Sequence, residues 1–124
     1  LASARMPQAK LYRGDLTLGL VEPLLEQRYD FIVATYALHH LTDPQKTTLL
    51  RVLLERLNAG GQILIGDIAF ETRPEMEQCR RATGAAWDDE EHYFVAEELR
   101  QAFPGLRFTG ISHCAGILAL DRQP

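Results

Sequence analysis

Residues 30–69 constrain the fold more than any other part of this 124-residue chain. They contain two short apolar runs, 31–34 and 63–65, separated by a segment long enough for one helix. The runs are rich in β-branched residues and do not alternate between apolar and polar, which is typical of strands covered on both faces. Two buried strands joined by a helix form a parallel βαβ unit, so the sequence predicts an open α/β sheet.

The helix between the two strands has clear start signals. Thr42 can cap it, Pro44 suits its first turn, and Gln45 completes a capping box. Its apolar side chains fall at helical spacing and form one stripe: Leu49, Leu50, Leu53, Leu54 and Leu57. The charged residues are expected on the opposite side: Lys46, Arg51, Glu55 and Arg56. We predict a helix over about 43–58, ended by Gly60-Gly61 through a left-handed residue.

Further elements flank this unit. Residues 9–14 predict a short strand that ends before Asp15, and 21–26 a helical turn. Thr72 starts a second helix, and the apolar residues between 95 and 103 mark a third. The chain closes with strands at about 106–113 and 115–120, joined so tightly around Ala115 and Gly116 that they must pair antiparallel. These elements predict one domain, 1–124, with a mostly parallel α/β sheet and an antiparallel C-terminal hairpin at its edge.

Composition excludes several classes of function. The formal net charge is −4 and no basic run occurs, so binding to nucleic acid or to an anionic membrane surface is not expected. No apolar stretch approaches the ~20 residues that span a bilayer. Cys79 and Cys114 are the only cysteines, and neither belongs to a CxxC pair. We therefore expect two free thiols in a cytoplasmic protein.

The arrangement resembles the C-terminal half of a class I S-adenosylmethionine-dependent methyltransferase, of the small stand-alone bacterial type. The segment Leu38-His39-His40-Leu41, the pair Gly60-Gly61 and the apolar strand that follows carry the resemblance, which covers roughly residues 7–120. Such enzymes hold the cofactor with a Gly-rich loop after their first strand. No GxGxG-like string occurs in this chain. We therefore expect the second half of a longer enzyme, with weak or absent cofactor binding by this half alone.

The resemblance implies S-adenosylmethionine as cofactor, bound at the carboxyl ends of the strands. Asp15 matches an acid that accepts a hydrogen bond from the adenine amino group, although it can also simply cap the following loop. The backbone of Thr35, Tyr36 and Ala37 matches the floor under the methionyl part. Tyr36 either shapes the pocket of the methyl acceptor or packs at the strand end.

The adjacent histidines allow three roles. His39 or His40 can remove a proton from the acceptor, because histidine titrates near neutral pH. With Asp43 they can contribute to a metal site, but adjacent histidines on an extended backbone point in opposite directions. By resemblance, His40 lies beside the cofactor or orients its loop. A structural or cofactor-lining role, without a metal ion, is the main expectation, and both histidines are weak candidates for catalysis.

Candidates for the acceptor side lie further along the chain. Asp67 follows the strand at 63–65 and either orients the acceptor or caps the next loop. Tyr93 precedes the third predicted helix, where related enzymes place a lid or substrate element. The acidic run 88–91 is expected to be a solvated loop rather than a metal site. No motif specifies the acceptor, which by resemblance is a small molecule.

Two expectations concern the whole molecule. By resemblance, the parent protein transfers a methyl group by in-line displacement, and the alternative is a non-catalytic oligomerisation or regulatory module. Without the upstream strands of the full fold, the strand at 30–35 has a free edge. We therefore expect a homo-oligomer formed through the region 9–35.

Overall fold

The computed structural model describes Leu20 and residues 22–123. The elements in chain order are α1 (Glu22–Leu25), β1 (Tyr29–Thr35), α2 (Asp43–Glu55), β2 (Leu57–Phe70), α3 (Arg73–Thr83), β3 (Phe94–Val95), α4 (Ala96–Leu99), β4 (Arg107–Gly110) and β5 (Ala115–Asp121). One 3₁₀ turn, Gly84–Ala86, follows α3. The third predicted helix is shorter than expected, because only the four residues of α4 are helical. The strand predicted at 9–14 and Asp15 lie outside the described residues.

The strands form a mixed sheet in the order β1-β2-β5-β4, and β3 pairs with the far end of β2. β1 and β2 run parallel, whereas β5 is antiparallel to both β2 and β4. The α/β class and the antiparallel C-terminal hairpin at the sheet edge are therefore confirmed. Because β2 and β4 are both antiparallel to β5, four of the five strands run in the same direction and only β5 is reversed, so the mostly parallel sheet is confirmed as well. The hairpin connection is 111–114, because Gly116 already pairs with Gly110.

Helix α2 begins as the sequence predicts. The Thr42 hydroxyl accepts from the Gln45 N–H at 3.3 Å, and the Gln45 side chain accepts from the Thr42 N–H at 2.8 Å. Three leucines of the stripe, Leu49, Leu50 and Leu53, are buried in the main core between α2 and the sheet. The stripe thus packs the helix against the βαβ strands, where each buried leucine contributes on the order of 2 kcal/mol.

The predicted helix end is wrong. α2 stops at Glu55, and Leu57 already belongs to β2. Gly60 has a φ of 78°, but it lies inside β2, where the pairing with β1 shifts register. A Cβ on Gly61 would lie 2.9 Å from the carbonyl oxygen of Asn58. The two glycines therefore serve an irregular stretch of strand rather than a helix terminus.

β1 is covered on one face only. Ile32 and Ala34 pack against the main core, whereas Phe31 is 67% and Val33 is 64% exposed. The prediction that this strand is covered on both faces is wrong for the described part of the chain, because the described helices leave these two side chains uncovered. β2 holds the centre of the sheet, with Ile63 and Ile65 buried.

A disulfide joins Cys79 in α3 to Cys114 just before β5, so the prediction of two free thiols is wrong. β5 begins opposite the far end of β2, where Ile68 pairs with Ala115, and α3 packs across the same end. Two cysteines 35 positions apart are thereby brought together. With the two cysteines paired, free thiols no longer support a reducing compartment such as the cytoplasm.

In the described part of the chain, every helix is too short or too polar to cross a membrane.

Candidate functional site

The carboxyl ends of β1 and β2 meet at one edge of the sheet, because these strands are parallel. At this edge the chain turns sharply at Tyr36, whose φ of 51° lies in the left-handed region that non-glycine residues seldom adopt. The Tyr36 N–H donates to the Gly66 carbonyl oxygen at 2.7 Å and fixes the turn. Thr35, Tyr36 and Ala37 are all exposed. These residues therefore lie exposed at the edge where ligands bind in open α/β sheets.

Asp67 organises this edge from inside the protein. Its side chain is fully buried. Oδ2 accepts from the Leu38 N–H at 3.3 Å, and Oδ1 accepts from the Ile68 N–H at 2.8 Å and from Nδ1 of His39 at 2.9 Å. The carboxylate thus joins the loop after β1 to β2, and it is not accessible to a ligand in this structure. Asp67 lies within β2, which continues to Phe70, rather than after the strand as predicted.

His39 lies between two carboxylates. Nδ1 faces Asp67, and Nε2 is 2.8 Å from Oε2 of Glu91. An ionised carboxylate only accepts hydrogen bonds, so when both carboxylates are ionised both ring nitrogens donate, as in an imidazolium. While both contacts persist, His39 has no nitrogen available to take a proton from an acceptor. It instead anchors the 91–93 loop, whose His92 N–H donates to the His39 carbonyl oxygen at 2.7 Å.

His40 is exposed, and its ring lies against that of His39 with centroids 4.2 Å apart. The backbone here is a turn closed by the Leu41 N–H, which donates to the Leu38 carbonyl oxygen at 3.1 Å. The two rings therefore lie side by side rather than on opposite sides of the chain. Glu91, and not Asp43, completes this group, since Asp43 instead contacts Lys46 at 3.6 Å.

Lys46 is only 2% exposed, so its predicted place on the exposed side of α2 is wrong. Its Nζ donates to the His92 carbonyl oxygen, lies 4.5 Å from the centre of the Phe94 ring, and is 3.6 Å from Asp43. Burial lowers the pKa of Lys46 to about 8, and Asp43 partly opposes that shift. Lys46 in α2 thus fixes the 91–93 loop through the His92 carbonyl oxygen, whereas His39 fixes it through the His92 N–H and Glu91.

Tyr93 continues this loop as a half-buried side chain. Its ring packs edge-to-face on Trp87, with centroids 4.8 Å apart. Burial raises the pKa of Tyr93, and the Glu91 carboxylate adds to that shift. Tyr93, Lys46 and Arg73 line a cavity of about 180 Å³ between the loop and α2. The structure therefore places Tyr93 in the loop that also carries Glu91, beside the histidines.

Some curated proteins are similar to this chain in sequence. The chain matches no protein-family model. An uncharacterized methyltransferase of Oceanobacillus iheyensis is 30% identical over 115 residues, which cover 87% of this chain and 53% of the relative. One of Anoxybacillus flavithermus is 36% identical over 77 residues, 62% of this chain and 35% of the relative. The chain thus spans about half the length of the first relative and about a third of the second.

Solved structures show the fold. An N-methyltransferase, NodS, of Bradyrhizobium japonicum in complex with S-adenosyl-L-homocysteine has a TM-score of 0.61 at 16% identity, over 99% of this chain and 60% of that chain. An O-methyltransferase family protein from Burkholderia thailandensis has a TM-score of 0.66 at 12% identity, over 98% and 38%. The fold is therefore that of class I S-adenosylmethionine-dependent methyltransferases, and the sequence is similar to curated methyltransferases. In this methyltransferase fold, the described residues supply a βαβ unit and the C-terminal hairpin.

Two residues near this edge, Lys46 and Glu91, are not among the predicted site residues. The sequence does contain a signal for the burial of Lys46, since position 46 falls on the same helical face as Leu49, Leu50 and Leu53. Its charge favours exposure, but its partners, the His92 carbonyl oxygen and the Phe94 ring, lie in a distant segment. Glu91 had no comparable signal, because it stands in an acidic run whose other members, 88–90, are exposed.

Proposed function

We propose that this chain supplies the C-terminal half of an enzyme that transfers the methyl group of S-adenosylmethionine to a small-molecule acceptor. The carboxyl edge of β1 and β2 carries the proposal, because it presents an exposed, fixed turn at 35–37 above the buried Asp67 network. Similarity to curated methyltransferases over most of the chain supports it. Since the chain spans only part of these relatives, the activity is proposed for the whole protein.

The residues present fit one part of a cofactor site. Thr35, Tyr36 and Ala37 are exposed at the position that underlies the methionyl part in the family. Asp15 is proposed to accept from the adenine amino group. S-adenosylmethionine supplies an electrophilic methyl group on a sulfonium. The sequence holds no GxGxG-like loop, so the remaining contacts must come from outside this chain. We therefore expect the chain alone to bind the cofactor weakly or not at all.

Catalysis of this kind depends mainly on holding donor and acceptor in line and close together. His39 serves that purpose as a positioning residue, because it ties the 91–93 loop to β2 through Asp67. This tie keeps His40 and Tyr93 near the carboxyl edge. His40 is the histidine of the pair whose ring a ligand can reach, since it is exposed.

Calorimetry with S-adenosylhomocysteine tests the proposal in this chain and in the complete protein to which it belongs. We expect binding by the complete protein, where Asp15→Ala weakens it by about 1–2 kcal/mol, the scale of a hydrogen bond to a charged group. Glu97→Ala, an exposed carboxylate on α4, is the control that leaves affinity unchanged.

Two outcomes would contradict the proposal, one for the partial cofactor site and one for the methyltransferase function. Micromolar affinity in the isolated chain would refute the assignment of a partial cofactor site. No binding by the complete protein would refute the methyltransferase function and favour the non-catalytic oligomerisation or regulatory module.

A further inference from the structure

Three metal-binding side chains converge at the carboxyl edge of the sheet. His39, His40 and Glu91 each offer one ligand atom, and these atoms all lie within 4.8 Å of one another. Two imidazoles and one carboxylate form a donor set that suits Zn²⁺ and its first-row neighbours, and three protein ligands leave a position open for water or substrate. We propose that these three residues bind a divalent transition-metal ion such as Zn²⁺.

The local backbone makes the two histidines compatible with one ion. On an extended strand, neighbouring side chains point to opposite faces. Here the chain is a turn closed by the bond from the Leu41 N–H to the Leu38 carbonyl oxygen. The rings of His39 and His40 therefore stand next to each other, with centroids 4.2 Å apart and planes inclined by 52°.

Asp67 supplies the supporting contact that a metal-binding histidine needs. Histidine ligands generally donate their second ring N–H to a carboxylate or carbonyl group, which fixes the ring orientation. Nδ1 of His39 donates to Asp67, whose carboxylate is in turn held by the N–H groups of Leu38 and Ile68. Nε2 is consequently the atom of His39 that faces the proposed ion, on the side of Glu91.

The distances require little rearrangement. Ligand atoms around a tetrahedral zinc ion lie roughly 3.3 Å apart, given metal–ligand bonds of about 2.0–2.1 Å. Nε2 of His39 and Oε2 of Glu91 are 2.8 Å apart, so an ion can take the place of the proton between them. His40 is exposed, and its ring can turn inward to complete the set.

The surrounding charges favour a cation at this position. Asp67 and Glu91 face His39 from two sides, and the exposed acids of the run 88–90 lie next to Glu91 in the chain. The nearby cations are engaged elsewhere, since Lys46 donates to the His92 carbonyl oxygen and Arg80 contacts Asp89 at 3.0 Å. The proposed site does not depend on methyl transfer, so its test is independent of the proposed function.

Calorimetric titration of the tag-free, chelator-treated chain with ZnCl₂ tests the site. Non-reducing buffer keeps Cys79 and Cys114 in their disulfide, so that they do not compete as ligands. We expect one ion per chain with micromolar or tighter affinity. His40→Gln and Glu91→Gln should each weaken it at least tenfold, and Asp67→Asn roughly 10–100-fold through the orientation of His39.

Matched controls separate this site from general surface binding. Glu90→Gln changes the exposed neighbour of Glu91, and His113→Gln changes a histidine outside the cluster; both should leave the affinity unchanged. Because His40 is exposed, His40→Gln keeps the test valid where a variant at His39 fails to fold. Zinc affinity weaker than micromolar, unchanged affinity in His40→Gln or Glu91→Gln, or a loss of affinity in His113→Gln would each overturn the proposal.

Discussion

His39 donates from Nδ1 to the buried carboxylate of Asp67 at 2.9 Å, although 28 positions separate the two residues in the chain. The same carboxylate accepts from the backbone of Leu38 and of Ile68. One side chain within β2 therefore holds both the loop after β1 and the His39 ring. The geometry of the carboxyl edge depends on this network more than on any exposed residue.

Asp67→Asn should lower the free energy of unfolding by about 1.5–3 kcal/mol, the scale of hydrogen bonds to a charged group. The amide replaces an acceptor oxygen with an N–H donor, so one of the groups that now donate to Asp67 loses its partner. Urea denaturation measures the change. Glu90→Gln, an equivalent substitution at an exposed position, should have almost no effect. Equal stability of Asp67→Asn and the wild type would show that the network contributes nothing to folding.

The parts of the fold that were predictable depend on neighbours in sequence. The capping box of Thr42 and Gln45, the leucine stripe of α2 and the apolar runs of β1 and β2 are local signals, and the structure confirms them. The start of α3 at Thr72 is of the same kind, since its side chain accepts from the Glu75 N–H at 3.3 Å.

The rest depends on which distant segments meet. Glu91 reaches His39 because the 88–93 loop folds back over the end of β1, and no residue near Glu91 encodes that path. The disulfide of Cys79 and Cys114 depends on β5 inserting between β2 and β4. The open face of β1 could not be predicted from its apolar run, because composition shows which residues favour burial but not whether a covering element is present.

Raising the pH should stabilise the protein through Lys46. Burial lowers the pKa of Lys46 from its usual 10.5 to about 8. Between these values the unfolded chain binds more protons than the folded one, so the free energy of unfolding rises with pH. Relative to Lys46→Met, the wild type should gain about 2 kcal/mol between about pH 7.5 and about pH 9.5.

Urea denaturation across this pH interval checks the Lys46 prediction. The upper limit avoids ionisation of Tyr93, whose pKa burial raises and whose ionisation removes stability at still higher pH. Arg51→Met on the exposed side of α2 is the control, because arginine does not titrate in this range. A difference between wild type and Lys46→Met that stays flat with pH would contradict the burial of a lysine with a lowered pKa.

Reduction of the disulfide should destabilise the protein by about 3–4 kcal/mol, the loop-closure contribution expected for a cross-link of this span. The bond joins positions 35 apart and ties α3 to the start of β5. The double variant Cys79→Ser/Cys114→Ser should match the reduced wild type in melting temperature and should not respond to reductant. Thiol titration of the unfolded, unreduced chain should find no free thiol, and two titratable thiols would refute the pairing.

In the described part of the chain, β1 presents an unpaired strand edge and an apolar surface. Within the described residues it pairs on one side only, with β2. The register places Phe31 and Val33 on the same face as Leu64 and Ile117, and Ile117 is itself 37% exposed. Unpaired backbone groups beside exposed apolar side chains are a template for pairing with another chain.

We expect two copies of this chain to associate through β1, which pairs with its own copy antiparallel across a two-fold axis. Light scattering over a range of concentrations should show a dimer or higher oligomer. Val33→Lys places a charge on this edge and should shift the equilibrium toward monomer. Thr109→Lys places the same charge on β4, the opposite edge strand, and should leave association unchanged. A stable monomer at high concentration, or equal association of Val33→Lys and Thr109→Lys, would exclude pairing through β1.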